Sequence, residues 1–197
     1  MDSNDLHAEK ILELEFEYAR DTVSQAVNDR TTVVNMYLLL VGGVGSVLAA
    51  LAALSSSQQI EIPHSAFAIA FLLMGVVGFF TIFKLIRIRQ AWHDSVVEMN
   101  RIKEFYIEHF PALEKAFAWR MSTIPPQGKI WSVTFILALL VAVIDSSAIG
   151  IATHLALGAS ANPWLDAVAF LAVVILQIGF YFYQLSSGEL PTRQPGH

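Results

Sequence analysis

The chain of 197 residues has no cysteine. That absence removes disulfides, thiolate metal sites, cysteine nucleophiles and palmitoylation together. Charge is scarce as well, with Asp, Glu, Lys and Arg making up 15% of residues. Lys and Arg are missing altogether from two short connections, Ser55–His64 and Leu155–Pro163. The sequence contains no glycine-rich phosphate loop, no histidine cluster at metal-ligand spacing and no Ser/His/Asp arrangement. Enzymatic activity is therefore not expected, nor is a cofactor or a bound metal. Residues Met1–Arg30 are polar and acidic, without the basic start and apolar core of a secretory signal, so insertion is expected to begin at the first apolar stretch.

What the chain has in excess is apolar surface. Hydrophobic residues reach 55% and the mean hydropathy is +0.54, more than a water-soluble core can absorb. The excess is gathered into Val33–Leu54, Ala66–Phe83, Ile130–Ala152 and Trp164–Tyr183. Each approaches or exceeds the ~20 residues with which a helix crosses a bilayer. The fold class that follows is an all-α polytopic membrane protein with four transmembrane helices and cytoplasmic helical extensions. Its expected order is a cytoplasmic N-terminal helix over 1–31 and spans over 32–55 and 64–86. A helical section over 87–128, continuous with the second span, comes next, then spans over 129–155 and 163–185 and a disordered tail over 186–197.

Charge placement sets the expected orientation. The formal net charge of −5 hides a division, with acids concentrated in the first helix and bases in the long central connection. Lys84, Arg87, Arg89, Arg101, Lys103, Lys115, Arg120 and Lys129 all lie in that connection, so it is read as cytoplasmic, with both termini. Tyr37, Trp131, Tyr181 and Tyr183 would then mark the inner interface and Trp164 the outer one.

Two packing seams are legible outside the lipid. Leu12, Phe16, Ala19, Val23 and Ala26 recur by steps of four and three, and Leu85, Ile88, Trp92, Ser95, Met99, Ile102, Tyr106 and His109 do likewise. The second series continues the second span for about 40 Å beyond the membrane, because no helix breaker precedes Pro111. Pro111 suits the first turn of a further helix over Ala112–Met121, and Pro125-Pro126-Gln127-Gly128 reads as a turn before the third span. Glu9, Glu13, Glu17 and Asp21 share the opposite face of the first helix, either as a solvated face or as a docking surface for a basic partner. The arrangement of helix and hairpin repeats in parallel, which gives no support to an inverted-repeat transporter.

Asp145 is the one acid deep inside an apolar span, roughly 20 Å along its helix from Trp131. It reads as a cation site, a proton-titrating group or an acidic ring about a symmetry axis, or as a structural carboxylate solvated by Ser146, Ser147 or a neighbouring helix. Ser46 lies near the same depth. Gln177, counted inward from Trp164, falls nearer the inner surface and is not expected to touch Asp145; His154 and Asp166, near the outer boundary, are close enough to pair with each other, though ordinary interfacial solvation is the expectation. Gly42, Ser46 and Ala50, with Gly45, Ala49 and Ala53, form small-residue rows on the first span, and Ala138, Ala142, Asp145 and Ala152 form a ridge on the third. Such rows allow close helix approach within or between protomers, and Gly42, Ser46, Ala50, Ala138 and Ala142 are the candidate oligomer contacts. Lys84, Arg87 and Arg89, at the membrane exit, suit anionic headgroups. Arg101 and Lys103, beside Phe105 and Tyr106, are candidate contacts for a soluble anion, and Met99, Phe16 and Val23 are the seam positions through which gating would act.

The runs Glu17-Tyr18-Ala19-Arg20, Asp29-Arg30, Asn35-Met36-Tyr37-Leu38 and Arg101-Ile102-Lys103-Glu104-Phe105-Tyr106, with the layout around them, resemble SLATT-type effectors. These are helical membrane modules partnered with nucleotide-signalling enzymes in bacterial anti-phage defence. They usually have two spans where this chain has four, and no functional residue is carried across. The resemblance implies a gated homo-oligomeric pore in the bacterial inner membrane, depolarising it under control of a nucleotide, an oligonucleotide or a protein regulator. The alternatives are a small cation- or proton-coupled carrier using Asp145 and a non-conducting membrane scaffold.

Overall fold

The computed structural model describes residues 3–58, 63–158 and 162–187, and of 3–9, 56–58 and 187 only the backbone. Four helices account for nearly all of it, α1 (Ser3–Gln58), α2 (His64–His109), α3 (Val133–Leu157) and α4 (Pro163–Ser187). There is no strand among the described residues. All four helices are long and apolar enough to cross a membrane, so the chain is an all-α polytopic membrane protein.

The N-terminal helix and the first span are a single helix of 56 residues, without the division expected near residue 31. The sequence has no Pro or Gly between Ser3 and Val41, so nothing interrupts the backbone hydrogen-bond ladder where lipid begins. α2 likewise runs unbroken over 46 residues, His64–His109. It is the organising element, packing against α1, α3 and α4, and α3 packs on α4.

Both seams are present, except that His109, expected at the end of the second, is exposed. Ala19, Ala26, Val34 and Tyr37 are buried along one side of α1, and Leu85, Ile88 and Ile102 along α2. Burial of this stripe holds the extramembrane hairpin together; each fully covered aliphatic side chain contributes about 1.5–3 kcal/mol. Inside the bundle the core is Val34, Tyr37, Ile82, Leu85, Ile86, Phe135, Ala138, Val141, Ala142, Tyr181 and Leu185. Tyr37 and Tyr181 are thus core residues and not the interfacial anchors their position suggested, whereas Trp131, Tyr183 and Trp164 are exposed.

The segment after α2 departs from expectation. Instead of a helix over Ala112–Met121 there is a 3-10 turn, Pro111–Ala116, and a second short one, Met121–Thr123. Arg120 explains the interruption. Its Nη2 and Nε donate to the two Glu104 carboxylate oxygens of α2 at 2.9 and 3.2 Å, and its Nη1 donates to Glu114 at 2.7 Å. A bidentate pair of this kind fixes the chain's path, and a continued α-helix would carry the guanidinium away from α2.

α3 starts four residues later than the expected boundary at 129, because Trp131 adopts a left-handed backbone (φ 66°) and Ser132 caps the helix by accepting from the Phe135 N–H at 3.2 Å. Gly158 (φ 55°) ends α3, its N–H donating to the His154 carbonyl. Asn162 then opens α4, its side chain accepting from the Trp164 N–H at 3.0 Å ahead of Pro163 in the first turn. α4 continues through Ser186 and Ser187; the rest of the tail expected to be disordered lies outside the described residues.

Candidate functional site

Asp145 is 1% exposed, enclosed by this one chain. Its ridge is buried as a unit with Ala138, Ala142 and Ala152. The space for a carboxylate comes from α2, where Gly78 stands opposite: a Cβ added there would lie 2.9 Å from the Asp145 Cβ and closer still to its carboxylate. Gly75, one turn along α2, is covered by Ile149 of α3 in the same way. The pair Gly75/Gly78 is a notch into which α3 presses.

Gln177 of α4 donates from Nε2 to Oδ2 of Asp145. This corrects the expectation that the two stand at different depths. The depth count for Asp145 began at Trp131, which lies outside the helix, and that count placed the carboxylate too far out. Measured from the turn that joins α3 to α4, Asp145 and Gln177 lie almost the same number of residues away, and the long amide side chain closes what remains. The other polar atoms of the cluster, Oδ1 of Asp145, Oε1 of Gln177 and the Ser146 hydroxyl, are buried and have no hydrogen-bond partner within the chain. Buried polar groups are nearly always satisfied, and a membrane interior raises the cost of leaving them bare. The Asp145 and Gln177 oxygens can accept hydrogen bonds, and the Ser146 hydroxyl can donate and accept.

Ser46 does not join it. Its hydroxyl donates to the Gly42 carbonyl of its own helix at 2.7 Å and the residue is exposed. Beyond the local helix backbone nothing lies within 4 Å of where a Cβ would stand on Gly42, Gly43 or Gly45, so this row of α1, with Ala50 also exposed, is open. Ala138 and Ala142, in contrast, are fully covered inside the protomer, which removes them from the candidate oligomer contacts.

Outside the spans, Phe16 and Lys103 meet in a groove of about 340 Å³ with Leu12, Tyr106 and Phe117. Its rim is charge-balanced, Glu13 and Glu17 against Arg20 and Lys103, so it is not an anion pocket. Arg101 stands apart, exposed and donating to Glu98 at 3.2 Å, because it falls off the Met99–Ile102–Tyr106 seam. Met99 and Val23 are half-buried on the two seams. Glu13, Glu17 and Asp21 are exposed on the acidic face of α1, while the Glu9 side chain lies outside the described residues.

A latch that the sequence did not reveal joins the bundle's extramembrane end. The buried Arg89 guanidinium donates to the carbonyls of Gln127 at 3.1 Å and Pro126 at 3.2 Å and lies 4.5 Å over the Trp92 ring. The Gln127 amide meets His93 Nδ1 at 3.0 Å, and Gln90 donates to the Gln184 carbonyl at 3.1 Å. Arg89 is therefore turned away from headgroups, unlike the exposed Lys84 and Arg87. Burial lowers its pKa from the ordinary value, a shift opposed by Tyr181 and reinforced by Arg30. The signal available in sequence was its offset from Lys84 and Arg87 on the helix wheel.

At the opposite end His154 Nδ1 meets Asp166 Oδ2 at 2.8 Å, so these two pair across the α3/α4 turn after all. Among the described residues no group of three or more His, Asp or Glu is placed to hold a metal ion. No protein family, no curated protein and no solved structure matches the chain.

Proposed function

We propose that the protein is a homo-oligomeric membrane pore whose extramembrane hairpin controls it. The observation that carries the oligomer lies outside the lipid. Ile11, Leu14 and Tyr18 recur by three and four on the uncovered side of α1 and are 59%, 54% and 72% exposed. Lipid covers apolar side chains inside a bilayer, but in water such a stripe costs free energy until another protein surface covers it. The seam spacing suits a second copy of the same helix. Farther along the same helix the open Gly42, Ser46 and Ala50 row offers neighbouring copies a close-approach surface in the membrane.

In this reading α1 forms the contacts between copies and presents Ser46 toward the shared axis. Asp145 was expected there, but its enclosure within one chain argues for a different role. Gating would follow from repacking of the α1/α2 seam, since both helices pass rigidly from water into lipid. The inner membrane of a bacterium, cytoplasmic termini and a part in anti-phage defence rest on charge placement and on the SLATT-like layout.

The test is assembly and flux together. Leu14→Lys with Tyr18→Lys should reduce the protein in detergent to a smaller species and suppress dye or ion leak from liposomes, with helix content unchanged. A parent protein that is monomeric, or a variant that leaks as the parent does, ends this reading.

A second reading, a carrier coupled to a proton or a small cation, is favoured by one observation, the partnerless oxygens around Asp145. It requires flux that saturates and responds to an imposed ion gradient, and that Asp145→Asn abolishes. Flux without such coupling returns the choice to the pore.

A further inference from the structure

α1 and α2 leave between them, at one level, a groove of about 280 Å³ lined by Thr22, Gln25, Ala26, Asp29, Lys84, Arg87, Ile88 and Ala91. Its level is fixed by sequence, since the apolar stretch of α1 begins at Val33 and that of α2 ends at Phe83. Every lining residue lies just beyond those ends, so the groove falls at the level of the headgroups, next to the acyl chains.

Its charges are mixed, and that is the informative part. Lys84 and Arg87 stand on α2 and Asp29 faces them from α1. Arg87 is held by its neighbours, its guanidinium 5.2 Å from the Phe83 ring centroid and its Nη1 donating to Gln90 at 3.3 Å. A purely anionic headgroup would meet the Asp29 carboxylate as a like charge. A headgroup carrying a phosphate and a primary ammonium meets both signs, with the phosphate on Lys84 and Arg87 and the ammonium donating hydrogen bonds to Asp29. A quaternary ammonium has the charge but no N–H to donate.

We infer that this groove is a binding site for the headgroup of phosphatidylethanolamine, held between α1 and α2. Lipid bound there touches both helices of the extramembrane hairpin at the point where they enter the membrane. The site stands independently of whether the protein conducts.

The test is native mass spectrometry of the full chain released from detergent, titrated with phosphatidylethanolamine, phosphatidylglycerol and phosphatidylcholine of identical acyl chains. In the parent, ethanolamine lipid should be retained several-fold more than either competitor. Lys84→Gln with Arg87→Gln should erase that retention, and Asp29→Asn should invert the order in favour of phosphatidylglycerol. Equal retention of the three lipids by the parent, or preference for phosphatidylglycerol, overturns the assignment even if a variant fails to fold. Unchanged retention in the folded double variant overturns it too.

Discussion

Gly78 and Asp145 meet across the α2/α3 interface so closely that neither could be enlarged without moving the other. Gly78→Ala should therefore act as an overpacking substitution and destabilise the bundle by about 1–3 kcal/mol. Combining it with Asp145→Ala should recover part of that loss, because the clash is with this one side chain. Thermal unfolding in detergent of the two single variants and the double variant measures the coupling. Strict additivity would mean the notch is not matched to the carboxylate.

Removing the partner on α4 has a different signature. Gln177→Leu leaves a buried carboxylate without its donor and should cost about 1–3 kcal/mol. Asp145→Asn keeps a polar group that can bond Gln177 and should unfold near the parent. If Asp145→Asn proves the more damaging, the charge itself stabilises the fold.

Arg89 joins α2 to the turn before α3 through two backbone carbonyls. Arg89→Met should preserve the packing of the stem over Trp92 and lose the bonds, lowering stability by about 1–3 kcal/mol. Protease cleavage near Gln127 should accelerate in the same variant. Cleavage at the parent's rate would show that the turn is held by other contacts.

The Glu104–Arg120 pair gives a pH dependence of definite sign. Hydrogen bonds from Arg120 hold the Glu104 carboxyl below its ordinary value. A depressed carboxylate pKa stabilises the fold at pH above the ordinary carboxylate range and loses that contribution as pH falls through the folded value. Protection against hydrogen exchange across Pro111–Thr123, taken relative to the intrinsic rate at each pH, should accordingly be high at neutral pH and fall in acid, while Arg120→Ala should be poorly protected at both. A parent segment as protected in acid as at neutral pH would refute this.

Orientation is open to a direct measurement, since the chain has no native cysteine to interfere. The proposed orientation, with the central connection and both termini in the cytoplasm, rests on the absence of Lys and Arg from Ser55–His64 and Leu155–Pro163. An impermeant thiol reagent on intact cells should label Ser57→Cys and leave Ser24→Cys and Ser122→Cys untouched. The reverse pattern inverts the topology.

The four spans and both seams were legible because apolar length and helical period are local properties of sequence. Tyr37 and Tyr181 were misplaced because an aromatic near a span end suits either a headgroup or a core, and packing decides. The Asp145–Gln177 bond was missed for a similar reason. Depth counted from an aromatic marker assumes that the helix begins there, and Trp131 precedes a cap set by Ser132. The path of Phe110–Thr123 depended on Arg120 reaching Glu104, sixteen residues back, which no local pattern encodes.

α1 and α2 contain no proline between their ends, and each passes from water through the bilayer as one rod. Such rods cannot shorten when the surrounding lipid thins, and without a proline to kink at, leaning is the response open to the helices themselves. With an extramembrane arm of about 40 Å, a lean of about 10° carries its tip roughly 7 Å sideways. A change in bilayer thickness met by leaning would thus appear as lateral displacement at the far end of the hairpin.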